Sequence, residues 1–120
     1  MTMNYLYIGL LQNSGFGLVE VLREGANYRR VEMGPGDWKV NNLAMFPEDS
    51  YINNVDVVKF PIALKGWGTI THFGVFDSLH GGNILASGTL SMNIIVDRPI
   101  QIQFEKHKLV VDLIHLGFEI

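Results

Sequence analysis

The chain has 120 residues, of which 48% are hydrophobic and only 18% charged, and its formal net charge is −3. One domain of ordinary size with enough apolar side chains for a core fits these figures, and the mild acidity gives no electrostatic reason to expect nucleic acid as a partner. The absence of cysteine excludes disulfides and thiolate chemistry, and no apolar run approaches the roughly 20 residues of a membrane span.

Thirteen glycines, four prolines and many Ile, Val, Phe and Tyr favour an all-β fold. The start, Met1 to Tyr5, lacks a basic region and a small-residue cleavage site, so no secretory signal is expected. Asn4 to Leu11 reads as a strand with both faces largely apolar, followed by a turn at Gln12-Asn13-Ser14-Gly15. Phe16 to Glu24 mixes helical spacing (Leu18, Val21, Leu22) with strand spacing (Val19, Val21). The expectation is a short helix or irregular loop ending at Gly25, placed as a C′ glycine would be. Ala26 to Met33 reads as a strand, and Gly34-Pro35-Gly36-Asp37 as a turn.

Trp38 to Phe46 starts as a strand, and Pro47-Glu48-Asp49-Ser50 breaks it. Tyr51 to Asn54 reads as a loop, and Val55 to Phe60 as a strand that stops at Pro61. Lys65 to Leu90 then gives the strongest signal, two strand-like arms around Asp77-Ser78-Leu79-His80-Gly81-Gly82. Asp and Ser bond their own backbone in turns and a Gly-Gly pair takes positive φ freely, so a β-hairpin is expected. On the first arm Trp67, Thr69, Thr71, Phe73 and Val75 share one face, and Gly68, Ile70, His72, Gly74 and Phe76 the other. Neither face is cleanly polar, and Gly68, Gly74 and Gly88 mark bulges or close approach of other groups.

Ser91 to Val96 reads as a loop or short strand. Ile100 to Phe104 alternates without a fault and reads as a half-buried strand. Glu105-Lys106-His107 is a polar turn, and Lys108 to His115 the last strand, with Leu109, Val111 and Leu113 on one side. About eight strands at this spacing predict a two-layer β-sandwich, jelly-roll-like, in a single domain spanning residues 1–120.

Chemistry-bearing residues are sparse. His72 and His80 are eight apart, as are His107 and His115, and none has zinc-site spacing, so no metal and no cofactor are expected. His72 sits mid-strand, where it needs a hydrogen-bond partner. Glu48-Asp49 reads as a solvated pair, and Asp77 as an acceptor of backbone bonds from the loop. No nucleophile elbow or phosphate loop is present, and Arg29 and Arg30 alternate across a strand, a poor basic patch. Trp38 and Trp67 are open to two readings, a sugar-stacking platform or packing at the sandwich edge. Trp67, His72, Phe73, Asp77, Gly81, Gly82 and Asn83 are the structural and interface candidates.

The order of these features resembles a group of small phage proteins often labelled tail-fibre proteins. The likeness rests on Tyr5 to Leu10, on Gly25-Ala26-Asn27-Tyr28-Arg29-Arg30, and above all on Trp67 to Asp77, Gly81 to Leu85 and Gly88 to Leu90. Ile100 to Phe104 and Lys108 to Leu113 resemble that group's closing strand pair, whereas Phe16 to Glu24 and Trp38 to Asn54 depart from its pattern. The resemblance implies a virion structural protein of β-sandwich type, assembled in the bacterial host cytoplasm, with no catalytic residues.

The resulting expectation is a non-enzymatic bacteriophage virion protein. Its foremost form is a capsid decoration (cement) protein that staples neighbouring subunits, because 120 residues leave no room for a fibre shaft and an anchor. The alternative is a tail-fibre or tail-tip domain that binds a host receptor or glycan. Strands apolar on both faces, Tyr5 to Leu11, Thr69 to Phe76 and Leu109 to Ile114, point to a homo-oligomer that also contacts other virion proteins such as the major capsid protein, with no nucleic acid or membrane partner.

Overall fold

The computed structural model describes residues 5–21 and 27–116. It is almost entirely β, with every strand pair antiparallel. The described strands are β1 (Leu6–Asn13), β2 (Leu18–Glu20), β3 (Val31–Met33), β4 (Trp38–Asn41), β5 (Tyr51–Asn54), β6 (Val58–Lys59), β7 (Gly68–Phe76), β8 (Ile84–Val96), β9 (Gln103–Phe104) and β10 (Val110–Asp112). Five of them form one sheet in the order β2-β1-β7-β8, with β3 also paired to β1. A three-stranded sheet, β10-β5-β4, and the β6-β9 pair complete the structure.

One core joins all three sheets. Leu6, Ile8 and Leu10 alternate along β1 and point into it, as the period of two requires. Trp67, Ile70, Phe73 and Val75 enter from β7 and its approach, Trp38, Ile52 and Val111 from the three-stranded sheet, and Val58, Phe60 and Ile102 from around the β6-β9 pair. Trp67 is fully buried, with Tyr28 set edge-on at 5.4 Å between ring centroids. The sandwich expected from the sequence is therefore present, its second layer divided into two small sheets.

Strict alternation separates Ile70 from Phe73, yet both reach the core. The pairing of β7 with β8 shifts register between Ile70, opposite Ile94, and His72, opposite Thr89. Such an irregularity re-aims the strand and lets residues three apart share one side. Phe73 lies across from Gly88, and a Cβ there would sit 2.5 Å from the Phe73 ring. The glycine thus leaves room for the aromatic ring to lie against the neighbouring strand, where it meets Phe104 edge-on at 5.8 Å.

Several elements differ from the sequence reading. Leu18 to Glu20 is not helix or loop but strand, closing a hairpin on Leu11 to Asn13; Gly25 lies outside the described residues. Tyr51 to Asn54 is not a loop but β5, the middle strand of its sheet. Asparagine is depleted in strands, which hid it. Here Asn54 is buried because its side chain bonds Asp56 O, Glu105 O and Leu109 N, holding the 105–109 turn against the sheet. Ser91 to Val96 simply continues β8. The last strand ends at Asp112, and a single 3-10 turn follows from Leu113 to Leu116.

Candidate functional site

The most elaborate side-chain arrangement lies on the outer face of β1 and β7, around Arg30. The residue precedes β3 and is almost buried, 9% exposed. Its Nε and Nη2 donate to Glu20 Oε2 and Oε1 at 2.9 and 2.7 Å, a bidentate pairing. Its Nη1 donates to the carbonyls of Ser78 and Gly81 at 2.6 and 2.7 Å. The guanidinium lies 3.6 Å from the centre of the Phe76 ring, within cation–π range. One side chain thus ties β2, β7 and the β7–β8 turn together.

Tyr28 completes the cluster. Its hydroxyl donates to Glu20 Oε2 at 2.6 Å and accepts from Leu10 N at 3.0 Å. Burial, then the bond to Glu20, pushes the Tyr28 hydroxyl well above the ordinary tyrosine range, so it stays protonated and keeps donating. The bond to Glu20 likewise raises the Arg30 pKa, so the guanidinium stays charged. Gly9 provides the space, since a Cβ there would fall 2.7 Å from Glu20 Oε2 and 2.9 Å from both the Tyr28 hydroxyl and the Phe76 ring.

The predicted candidates occupy three places. Trp67 and Phe73 are core residues. Trp38 is 6% exposed, so neither tryptophan offers an open face for a sugar to stack on. His72 is half-buried, with its Nδ1 2.7 Å from Thr71 Oγ1. Asp77, Gly81, Gly82 and Asn83 form the β7–β8 turn. Asp77 accepts from the Asn83 backbone at 2.8 Å and from its side chain at 3.1 Å. Those bonds hold the Asp77 carboxyl below its ordinary range. Gly81 and Gly82 both take positive φ, 61° and 71°, and a Cβ on Gly82 would collide with the Asp77 carboxylate.

Sequence reasoning missed Arg30, Glu20 and Tyr28. Arg29 and Arg30 do diverge, but the consequence is that Arg30 is buried in a lock while Arg29 stays exposed. The Phe76 ring closes over Gly9 and Gly74, and Leu11 packs beside Gly74. Much of the surplus apolar face of β1 and β7 is therefore covered from within the chain. On β10 the outward positions Val110 and Asp112 are exposed.

Two open grooves, about 530 and 360 Å³, flank Arg30 and share Arg29, Arg30 and Leu79 as walls. The larger adds Lys59, Glu32 and Gln101, a polar lining of mixed charge. At the far end of the β1–β2 hairpin the tip is ordered by bonds from Gly15 N to Asn13 Oδ1 and from Phe16 N to Ser14 Oγ. It presents Phe16 fully to solvent. Among the described residues, no three His, Asp or Glu side chains gather as a metal site would require. The arrangement holds β2, the segment before β3 and the β7–β8 turn in fixed relation.

A family model described as podophage GP4 fiber I protein gp80 matches residues 6–112. No curated protein and no solved structure matches the chain.

Proposed function

The chain belongs to the family of the podophage GP4 fiber I protein gp80, and from that premise we propose that it is a component of a phage tail fibre. It is a bacteriophage structural protein and a part of the virion. The family match, which runs over almost the whole described chain, carries the reading and favours the fibre over the capsid decoration expected from chain length alone. The protein works by contact rather than by chemistry. Its rigid β body, locked by Arg30, holds surfaces in place for other virion proteins, in an assembly built in the host cytoplasm. Adhesion to a host receptor or glycan falls to the groove beside Arg30, where Arg29, Lys59 and Gln101 offer hydrogen-bond donors. A stacked-tryptophan sugar site is not available, since Trp38 and Trp67 are both buried.

Purified virions separated into tails and capsids, with the chain quantified in each by mass spectrometry, test the proposal. It predicts recovery with the tails at a copy number matching the fibres. Recovery with emptied capsids, in proportion to the major capsid protein, would overturn it in favour of decoration.

A further inference from the structure

Arg29 and Arg30 are neighbours with opposite employments. Arg30 is spent: of the five N–H groups that a guanidinium carries, four donate to Glu20, Ser78 and Gly81. Its charge is balanced by Glu20. Arg29 and Lys59 are exposed, and among the described residues neither makes an ion pair. Both line the groove of about 530 Å³, a size within the roughly 300–1,000 Å³ of small-ligand sites. Of its remaining lining residues only Glu32 brings an unpaired carboxylate, so two free cations outweigh one anion there, on a chain whose net charge is −3. Gln101 adds a side-chain amide, and Leu79 and Pro61 add apolar surface.

We propose that this groove takes a carboxylate-bearing saccharide, an acidic sugar unit of a host glycan, with its carboxylate held by Arg29 and Lys59. The inference rests on the groove being the site of adhesion and deepens that reading by naming the ligand class. The mixture in the lining carries the choice. Two free cations call for an anion, and the planar fork of a guanidinium matches a carboxylate in particular. Glu32 repels a compact anion that carries no hydrogen-bond donors, but it accepts bonds from the hydroxyl groups of a sugar. Leu79 and Pro61 meet the C–H face of a sugar ring without a stacked tryptophan. A neutral sugar would leave both cations unanswered. Leu79 walls this groove and its smaller neighbour from within the turn whose Ser78 and Gly81 carbonyls Arg30 holds. Arg30 thus sets the wall, and Arg29 supplies the charge.

Calorimetry and amide NMR of the full chain test the proposal, with trigalacturonate and sialyllactose as probes. Their methyl esters keep the hydroxyl groups and lose the charge. At least one acid should shift the amides of Arg29, Val31 and Gln101 and bind at least about tenfold more tightly than its ester, the worth of one hydrogen bond to a charged group. Arg29→Gln and Lys59→Gln, both at exposed positions, should each weaken that acid about tenfold, with the ester and the circular dichroism spectrum unchanged. Phe16→Ser, at the tip of the β1–β2 hairpin, should leave binding intact. Acid and ester binding alike would overturn the inference in favour of a neutral glycan. Inorganic phosphate or a polyglutamate peptide binding as tightly as the acids would mean that charge alone is read, and overturns it too. Silence of both acids overturns it as well. The adhesion reading is scored apart, by whether the purified protein blocks adsorption of phage to host cells and whether Gln101→Trp, which fills the groove, ends the block. A block that Gln101→Trp ends, with both acids silent, removes only the acidic sugar; no block, or one that survives Gln101→Trp, removes the groove as the site of adhesion.

Discussion

β7 and β8 lie side by side, share one hairpin and are both rich in apolar residues, yet they end in opposite states. From Phe73 to Phe76, β7 is buried on both faces, the core on one side and the Arg30 cluster on the other. β8 is nowhere buried before Val96. The difference lies in what else the chain can bring over each strand. β1 pairs along the other edge of β7, and Arg30, from the segment before β3, lies over the Phe76 ring on its outer face; among the described residues no strand pairs with the far edge of β8. Apolar content alone therefore does not tell a covered strand from an offered one; position in the sheet and the supply of intramolecular cover do.

A matched pair of truncations measures that contrast at its widest. Phe73→Ala empties a core site walled by Phe104 and Gly88, and should cost about 3–5 kcal/mol in denaturant unfolding. Met92→Ala, on the open strand, should stay within about 0.5 kcal/mol when the protein is monomeric. Equal losses at the two positions would show that β8 is covered as deeply as β7.

The lock over β7 can be broken directly. Arg30→Ala leaves the Glu20 carboxylate almost buried without its partner and strips the Ser78 and Gly81 carbonyls of their donor. Loss of one partner of a buried ion pair typically costs about 3–5 kcal/mol, and a similar fall is expected in thermal or chemical unfolding. Replacing both charges, Arg30→Met with Glu20→Met, should recover much of that loss, because the stranded charge is gone. If the double variant is no better than the single one, the hydrogen bonds to the turn carry the effect instead of the pair. A smaller perturbation acts from below. Gly9→Ala would push a methyl group into Glu20, Tyr28 and Phe76 at once, and overpacking of this kind costs about 1–3 kcal/mol.

How much of this was legible in the sequence varies by element. The central hairpin, its Asp-Ser…Gly-Gly turn and the inward-facing Leu109, Val111 and Leu113 all follow from local pattern, because turn chemistry and period two act over a few residues. β5 was hidden, since Asn53 and Asn54 resemble loop until the distant 105–109 turn supplies partners for Asn54. The Arg30 cluster was hidden for the same reason. Glu20, Tyr28, Phe76 and Ser78 are spread over nearly sixty positions, and no local spacing announces that they meet. Two signals were available: the glycines Gly9 and Gly74 in neighbouring strands, which free room on one face, and the place of Tyr28 and Arg30 within the Gly25 to Arg30 element that carries part of the resemblance. The face assignment of Ile70 failed because a register shift between two strands leaves no mark on either strand's own alternation.

The mildest test acts at the joint between the two strands. Asp77 sits in the turn, fully exposed, with its carboxylate accepting two bonds from Asn83. Those bonds favour the ionised form, so the folded-state pKa lies below the ordinary aspartate value. A depressed folded pKa means that the stabilisation is present above the ordinary value and is lost as pH falls through the folded one. NMR titration of the Asp77 carboxyl should therefore give a midpoint below that of an unstructured aspartate. The Asn83 amide should lose exchange protection over the same acid range, while Phe73 and Val75 on β7 keep theirs. Asp77→Asn should abolish the pH step at Asn83. A midpoint at or above the ordinary value would remove Asp77 as the clasp of the turn. Loss of protection along β7 together with the turn would show that the two strands open as one unit and that their difference is confined to surface exposure.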